Sequence, residues 1–148
     1  MPTPVQHDAF RLLLRCIVVE VSDTRSASEF AISHLEGAVN IDPKSDKLQE
    51  IVQKLLRDGY KPSMRILCYC TVGYRSSLMA QTLNRMQQED DGQIQGTPLK
   101  VFNLEGGFVK WANEGRAMLD HHGNITRLVH PCNSTWGSLL EPELRAQV

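Results

Sequence analysis

The chain has 148 residues, a net charge of −1, 41% hydrophobic and 22% charged residues. That length suits one domain and lets roughly two-thirds of the unfolded surface be buried, so a core can form without staples. The near-zero charge gives no basis for binding nucleic acid or an anionic membrane, and four irregularly spaced cysteines argue against a secreted disulfide framework.

In chain order, Met1 to His7 lacks the basic and apolar regions of a secretory signal. The apolar stretch from Phe10 to Val21 is interrupted by Arg15 and Glu20 and is too short to span a bilayer. The expected location is cytoplasmic, with a mitochondrial one left open by Arg11 and Arg15. Ile17 to Val21 is a β-branched run suited to a buried strand. Ser26 to Leu35 reads as a short helix, with Ser26 as N-cap and Glu29 at the capping-box position. Ala38 to Ile41 follows as a brief strand stopped by Pro43.

Leu48, Ile51, Val52, Leu55 and Leu56 repeat with the spacing of an amphipathic helix, and Gly59 ends it. Arg65 to Tyr69 reads as a strand, Ser76 to Met86 as a helix and Asp90 to Pro98 as a polar loop. Leu99 to Asn103 is expected as a fourth strand and Gly107 to Asn113 as a helix. Alternating strands and helices predict an α/β fold whose parallel sheet is covered by helices on both faces. Active sites of such sheets gather beyond the carboxyl ends of the strands, and Cys70 stands there.

The segment Cys70-Thr71-Val72-Gly73-Tyr74-Arg75-Ser76 joins that strand to the next helix. A thiol at a helix N-terminus meets unpaired N–H groups and the positive end of the dipole, both of which favour the nucleophilic thiolate. Arg75 adds a permanent positive charge, Gly73 permits a nest of inward N–H groups, and Ser76 is the expected helix cap. Such a loop suits an oxyanion or the terminal sulfur of a persulfide. The competing reading of Cys70 alone is a buried structural cysteine.

Three segments, in order, resemble the rhodanese family. They are Asp23-Thr-Arg25 with Glu29-Phe30 and His34-Leu-Glu-Gly37-Ala38; Cys70-x-x-Gly73-x-Arg75-Ser76; and Leu104-Glu-Gly106-Gly107-Phe-Val-Lys-Trp111. The resemblance spans about residues 10–117. It implies a rhodanese-like three-layer fold with a central, mostly parallel sheet flanked by helices. It also implies a ping-pong sulfurtransferase in which Cys70 carries a sulfane sulfur from a donor such as thiosulfate to a thiol or cyanide.

In that scheme the amides of Thr71 to Ser76 hold the persulfide, Arg75 anchors the loop, and Asp23 and Arg25 form a structural ion pair. No cofactor, metal, nucleic acid or membrane is implied; the partners are a sulfur donor and a thiol acceptor, small molecule or protein. Ser33 stands where the family has glycine, and His34 is expected as a hydrogen-bonded structural residue rather than a base.

Two rivals stay open. A phosphatase of related arrangement places five residues between cysteine and arginine, whereas four separate Cys70 from Arg75. A rhodanese-like module that only carries sulfur or binds partners would keep the loop without turnover. Residues 5–117 are expected as the domain and 118–148 as an extension packed on it. Cys68 and Cys16 read as core. Cys132 could resolve a modified Cys70 if the tail folds over the site. The spacing of His121, His122, His130 and Cys132 matches no ordinary zinc pattern.

Overall fold

A computed structural model describes residues 3–5, 19–47, 50, 65–89 and 100–148. A five-stranded sheet organises them. Its strands are β1 (Thr3–Val5), β2 (Val19–Asp23), β3 (Ala38–Asn40), β4 (Arg65–Tyr69) and β5 (Lys100–Leu104), in the spatial order β1-β5-β4-β2-β3. All four pairings are parallel. The protein is therefore an α/β domain with a central parallel sheet flanked by helices, the architecture the residue pattern predicts. Strand β1 went unread because three residues are too few to show a period.

Helix α1 (Ala27–Ile32) connects β2 to β3, α2 (Tyr74–Glu89) connects β4 to β5, and α3 (Gly107–Asn113) follows β5. A two-stranded antiparallel hairpin, β6 (Met118–Leu119) with β7 (Ile125–Thr126), and a short helix α4 (Ser134–Gly137) complete the chain with a 3-10 turn at Pro142–Leu144. The helix expected around Leu48 to Leu56 and the thiol of Cys16 lie outside the described residues. Among the described residues no helix is long and apolar enough to cross a membrane.

The elements sit where local chemistry directs them. In α1, Ser26 Oγ accepts from Glu29 N while the Glu29 carboxylate accepts from Ser26 N at 2.8 Å, a complete capping box. Helix α1 ends at Ile32, three residues before the expected limit, because Ser33 turns to extended backbone at φ −164°. Any residue adopts that conformation, so serine replaces the family's glycine there without backbone strain. Its buried hydroxyl has no partner among the described residues, while its carbonyl accepts from Arg25 at 2.6 Å.

In α2, Ser76, Met79, Ala80 and Leu83 are buried at i, i+3, i+4 and i+7, the spacing of one helix face. That face includes a serine, so Ser76 points inward toward the sheet. The helix also begins at Tyr74, two residues before the expected start. Ser76 is thus not the cap read from the sequence: its hydroxyl lies inside the first turn, with its oxygen 3.1 Å from Gly73 O.

The main core unites Val21, Leu35, Leu67, Tyr69, Leu104, Phe108 and Trp111 with Met118, Val129, Leu140 and Leu144 from the C-terminal segment. Burying each such large side chain contributes about 1.5–3 kcal/mol. Backbone bonds also tie this segment down: Val129 N donates to Leu144 O at 2.7 Å, and Asn113 Nδ2 to Leu139 O at 2.8 Å.

Candidate functional site

Strand β4 runs as Arg65-Ile-Leu-Cys-Tyr69 and delivers Cys70 to the carboxyl edge of the sheet, next to the first turn of α2. The chain then turns through Gly73 at φ +113°, a conformation reserved for glycine. The turn aims the Gly73 N–H at Cys70 Sγ, 3.0 Å away. Ser76 Oγ lies 3.5 Å from the same sulfur. Cys70 is 1% exposed, so these two groups, rather than water, are the immediate polar surroundings of the sulfur.

Arg75 interacts electrostatically with Cys70, and its hydrogen bonds go to groups of α1 and the loop. Its guanidinium forks onto Glu29, with Nη1–Oε2 at 2.7 Å and Nη2–Oε1 at 2.9 Å, and Nη2 also donates to Thr71 Oγ1 at 2.8 Å. Thr71 Oγ1 in turn donates to Glu29 Oε1 at 3.2 Å. The loop is thereby anchored to α1. Burial by itself would raise the Glu29 carboxyl, but hydrogen bonds from Arg75 and Ser26 outweigh it and hold the group below the usual carboxylate range. The same hydrogen bonds push Arg75 further up, so the pair stays ionised.

Beneath the loop, Asp23 and Arg25 are 0% and 1% exposed and share two nearly parallel bonds, Nε–Oδ1 at 3.0 Å and Nη2–Oδ2 at 2.7 Å. The Arg25 guanidinium stacks over Phe108, 4.2 Å from its centroid. Tyr69 donates its hydroxyl to Asp23 Oδ2 at 2.5 Å and accepts from Leu35 N at 3.0 Å. Burial, and then the Asp23 carboxylate, push the phenol well above its ordinary value, so it remains a donor. His34 is tied back to α1, with Nδ1 2.9 Å from Phe30 O and the two rings stacked at 4.0 Å.

Helix α3 supports the loop from the other side. Phe108 N donates to Cys70 O at 2.8 Å and Val109 N to Thr71 O at 3.2 Å. Of the loop residues, Thr71 and Ser76 are buried with Cys70, Val72 packs partly against the core, and Tyr74 stands 70% exposed at the rim.

The C-terminal segment also reaches the site. Cys132, with a left-handed φ of 65° unusual for a non-glycine residue, places its sulfur 3.8 Å from Arg75 Nη2. Burial, then the Glu29 carboxylate, push its thiol up against the opposing pull of Arg75. Cys68 is fully buried on β4, and burial pushes its thiol up to about 12, with Cys70 adding to the shift. Alkylation of the native protein at pH 8 is therefore expected to leave Cys68 unmodified until the chain is denatured; peptide mass mapping before and after urea checks this.

Two contributors escaped the sequence reading. In the sequence Glu29 reads as a capping residue and a motif position, while its pairing with Arg75, 46 residues on, has no local signal. Asn103, just before the Leu104-Glu-Gly motif, carried no signal of its own; it accepts from Ser76 Oγ at 2.6 Å.

The model of the rhodanese-like domain matches residues 7–114. No curated protein matches significantly. Among solved structures, a Bacillus halodurans protein superposes with a TM-score of 0.63 at 17% identity, covering 93% of this chain and 89% of that one. A thiosulfate sulfurtransferase from Pseudomonas aeruginosa gives 0.57 at 14% identity, covering 93% of this chain but only 24% of that larger one. A yeast protein tyrosine phosphatase of the rhodanese family gives 0.59 at 16% identity, with 75% and 85% covered. At such identities these likenesses speak for the fold alone. The domain match carries more, because it runs unbroken from before β2 through the Cys70 loop to the end of α3, and on it the chain belongs to the family of rhodanese-like domains.

Proposed function

We propose that the protein is a sulfurtransferase that moves a sulfane sulfur from a donor such as thiosulfate to a thiol or cyanide acceptor through a persulfide on Cys70. The observation that carries this reading is the setting of the Cys70 sulfur, buried, 3.0 Å from the Gly73 N–H and 3.5 Å from Ser76 Oγ at the start of α2. In the first half-reaction the Cys70 thiolate attacks the outer sulfur of thiosulfate. A new S–S bond forms, the old one breaks with its electron pair, and sulfite leaves. In the second, the acceptor thiolate or cyanide attacks that outer sulfur and the Cys70 thiolate departs. The loop donors suit the charge held on sulfur in both steps.

Arg75 is engaged with Glu29 and Thr71, which supports a loop-anchoring role. With that charge committed, weak binding of dianionic thiosulfate follows, and a protein persulfide becomes an attractive donor. Mercaptopyruvate fits least, since Thr71 to Tyr74 offer no carboxylate clamp.

Wild type and Cys70→Ser would be compared for thiocyanate production from thiosulfate and cyanide, with intact mass followed in parallel. The expected result is a one-sulfur mass gain and turnover, both lost in Cys70→Ser. Loading without turnover would instead favour a sulfur carrier. Aryl-phosphate hydrolysis lost in Cys70→Ser, without sulfur loading, would replace the proposal with the phosphatase reading that the yeast relative brings to mind.

A further inference from the structure

The Cys70 sulfur is served by a side chain that never touches it. Asn103 lies on β5 in register with Cys68 on β4, and its amide spans the gap to α2. Its Oδ1 is 2.6 Å from Ser76 Oγ, and its Nδ2 is 3.1 Å from Ser77 Oγ and 3.5 Å from Gly73 O. Ser76 Oγ is 3.5 Å from Cys70 Sγ and also 3.1 Å from Gly73 O, but its shortest contact is the one to Asn103. Ser76 is wholly buried, so solvent does not fill a bond that its hydroxyl leaves open.

A hydroxyl carries one proton and can accept as well as donate. When Cys70 is a thiol, its S–H can donate to Ser76 Oγ while the Ser76 proton goes to Asn103 Oδ1. When the sulfur is charged, it only accepts. The Gly73 N–H already points at it, and the second donor within reach is the Ser76 hydroxyl, whose proton must then leave Asn103. That turn strands Oδ1 opposite the serine oxygen unless the amide rotates to present Nδ2. The carboxamide allows this, because its two ends are nearly isosteric and one accepts where the other donates. The rotated Oδ1 would then face Ser77 Oγ, whose proton now goes to Gly73 O at 2.7 Å and is free to turn.

We infer that Asn103 is a positioning residue that supports the charged Cys70 sulfur through Ser76, exchanging its acceptor end for its donor end as the sulfur loses its proton. The inference rests on Cys70 being the reacting nucleophile of the proposed sulfur transfer, but not on which donor or acceptor is used.

The test is the pH dependence of Cys70 alkylation by iodoacetamide, followed by peptide mass mapping, in wild type, Asn103→Leu, Ser76→Ala and the double variant. Asn103→Leu keeps the size and removes both ends of the amide. Its expected effect is an upward move of the alkylation midpoint by about one unit or more, which lowers the rate near neutral pH roughly tenfold. In the Ser76→Ala background the same substitution should add little, because the path runs through the serine hydroxyl.

An unchanged midpoint in Asn103→Leu, or an equal shift with and without Ser76, would overturn the inference. Should Asn103→Leu fail to fold, Asn103→Asp decides. It keeps the shape and the acceptor but cannot donate, so its shift should shrink clearly on removal of Ser76, whereas an equal shift in both backgrounds would mean direct charge repulsion and overturn it. Alkylation reads the sulfur itself, so absence of sulfur transfer in wild type would sink the proposed activity without deciding this outcome.

Discussion

Asp23→Ala is expected to destabilise the domain by about 3–5 kcal/mol, the usual cost of leaving one member of a buried ion pair uncompensated. Asp23 and Arg25 are both essentially sealed from solvent. Without the carboxylate, Arg25 keeps the Ser33 carbonyl and the faces of Phe108 and Tyr69 for a full positive charge, and the Tyr69 hydroxyl loses its acceptor. Total stabilities of domains this size are only about 5–15 kcal/mol, so the variant should sit close to its unfolding threshold. Urea titration measures the loss directly. Asp23→Asn, which still accepts hydrogen bonds, should lose less. Asp23→Ala combined with Arg25→Met should recover part of the loss, because the stranded charge is gone. A single-variant cost below about 1 kcal/mol would mean that Arg25 finds solvent or another partner, contrary to its burial.

The second large effect falls on Gly107→Ala, expected to cost about 2–5 kcal/mol and to depress sulfur loading of Cys70 as well. Gly107 opens α3 at φ +62°, and a Cβ there would lie 2.5 Å from Thr71 O and 2.7 Å from Cys70 O. Both obstacles are backbone atoms of the Cys70 loop, so relief requires the loop or the helix to move. Either movement stretches the bonds from Phe108 N and Val109 N to those same carbonyls. Gly115→Ala is the control: it has a similar φ of +71° but nothing within 4 Å of its Cβ, so only the backbone penalty of about 1 kcal/mol should appear. Equal losses of stability and loading in the two variants would remove the role assigned to close packing between α3 and the loop.

These effects explain why the family motifs could be read before the structure. Gly107 is needed because α3 presses its first turn onto the Cys70 loop, where a Cβ would meet Thr71 O and Cys70 O. The capping box at Ser26 and Glu29 was likewise legible, since its partners are three residues apart and local chemistry decides it. The second role of Glu29 was not. Its partner Arg75 lies 46 residues away, and the fork between them forms only once β2 and β4 pair and bring α1 and α2 to one sheet edge.

The sequence by itself determined the alternation of strands and helices, the place of Cys70 after a buried strand, and the glycine that turns the loop, because each depends on side-chain period or backbone freedom over a few residues. Tertiary structure alone decided where the charges and hydroxyls go. It turned Arg75 to Glu29, directed Ser76 inward to Asn103 rather than to a cap, and laid Cys132 against the guanidinium. Those partners meet across large sequence separations, where the cost of burying a polar group selects whichever mate the packed elements supply.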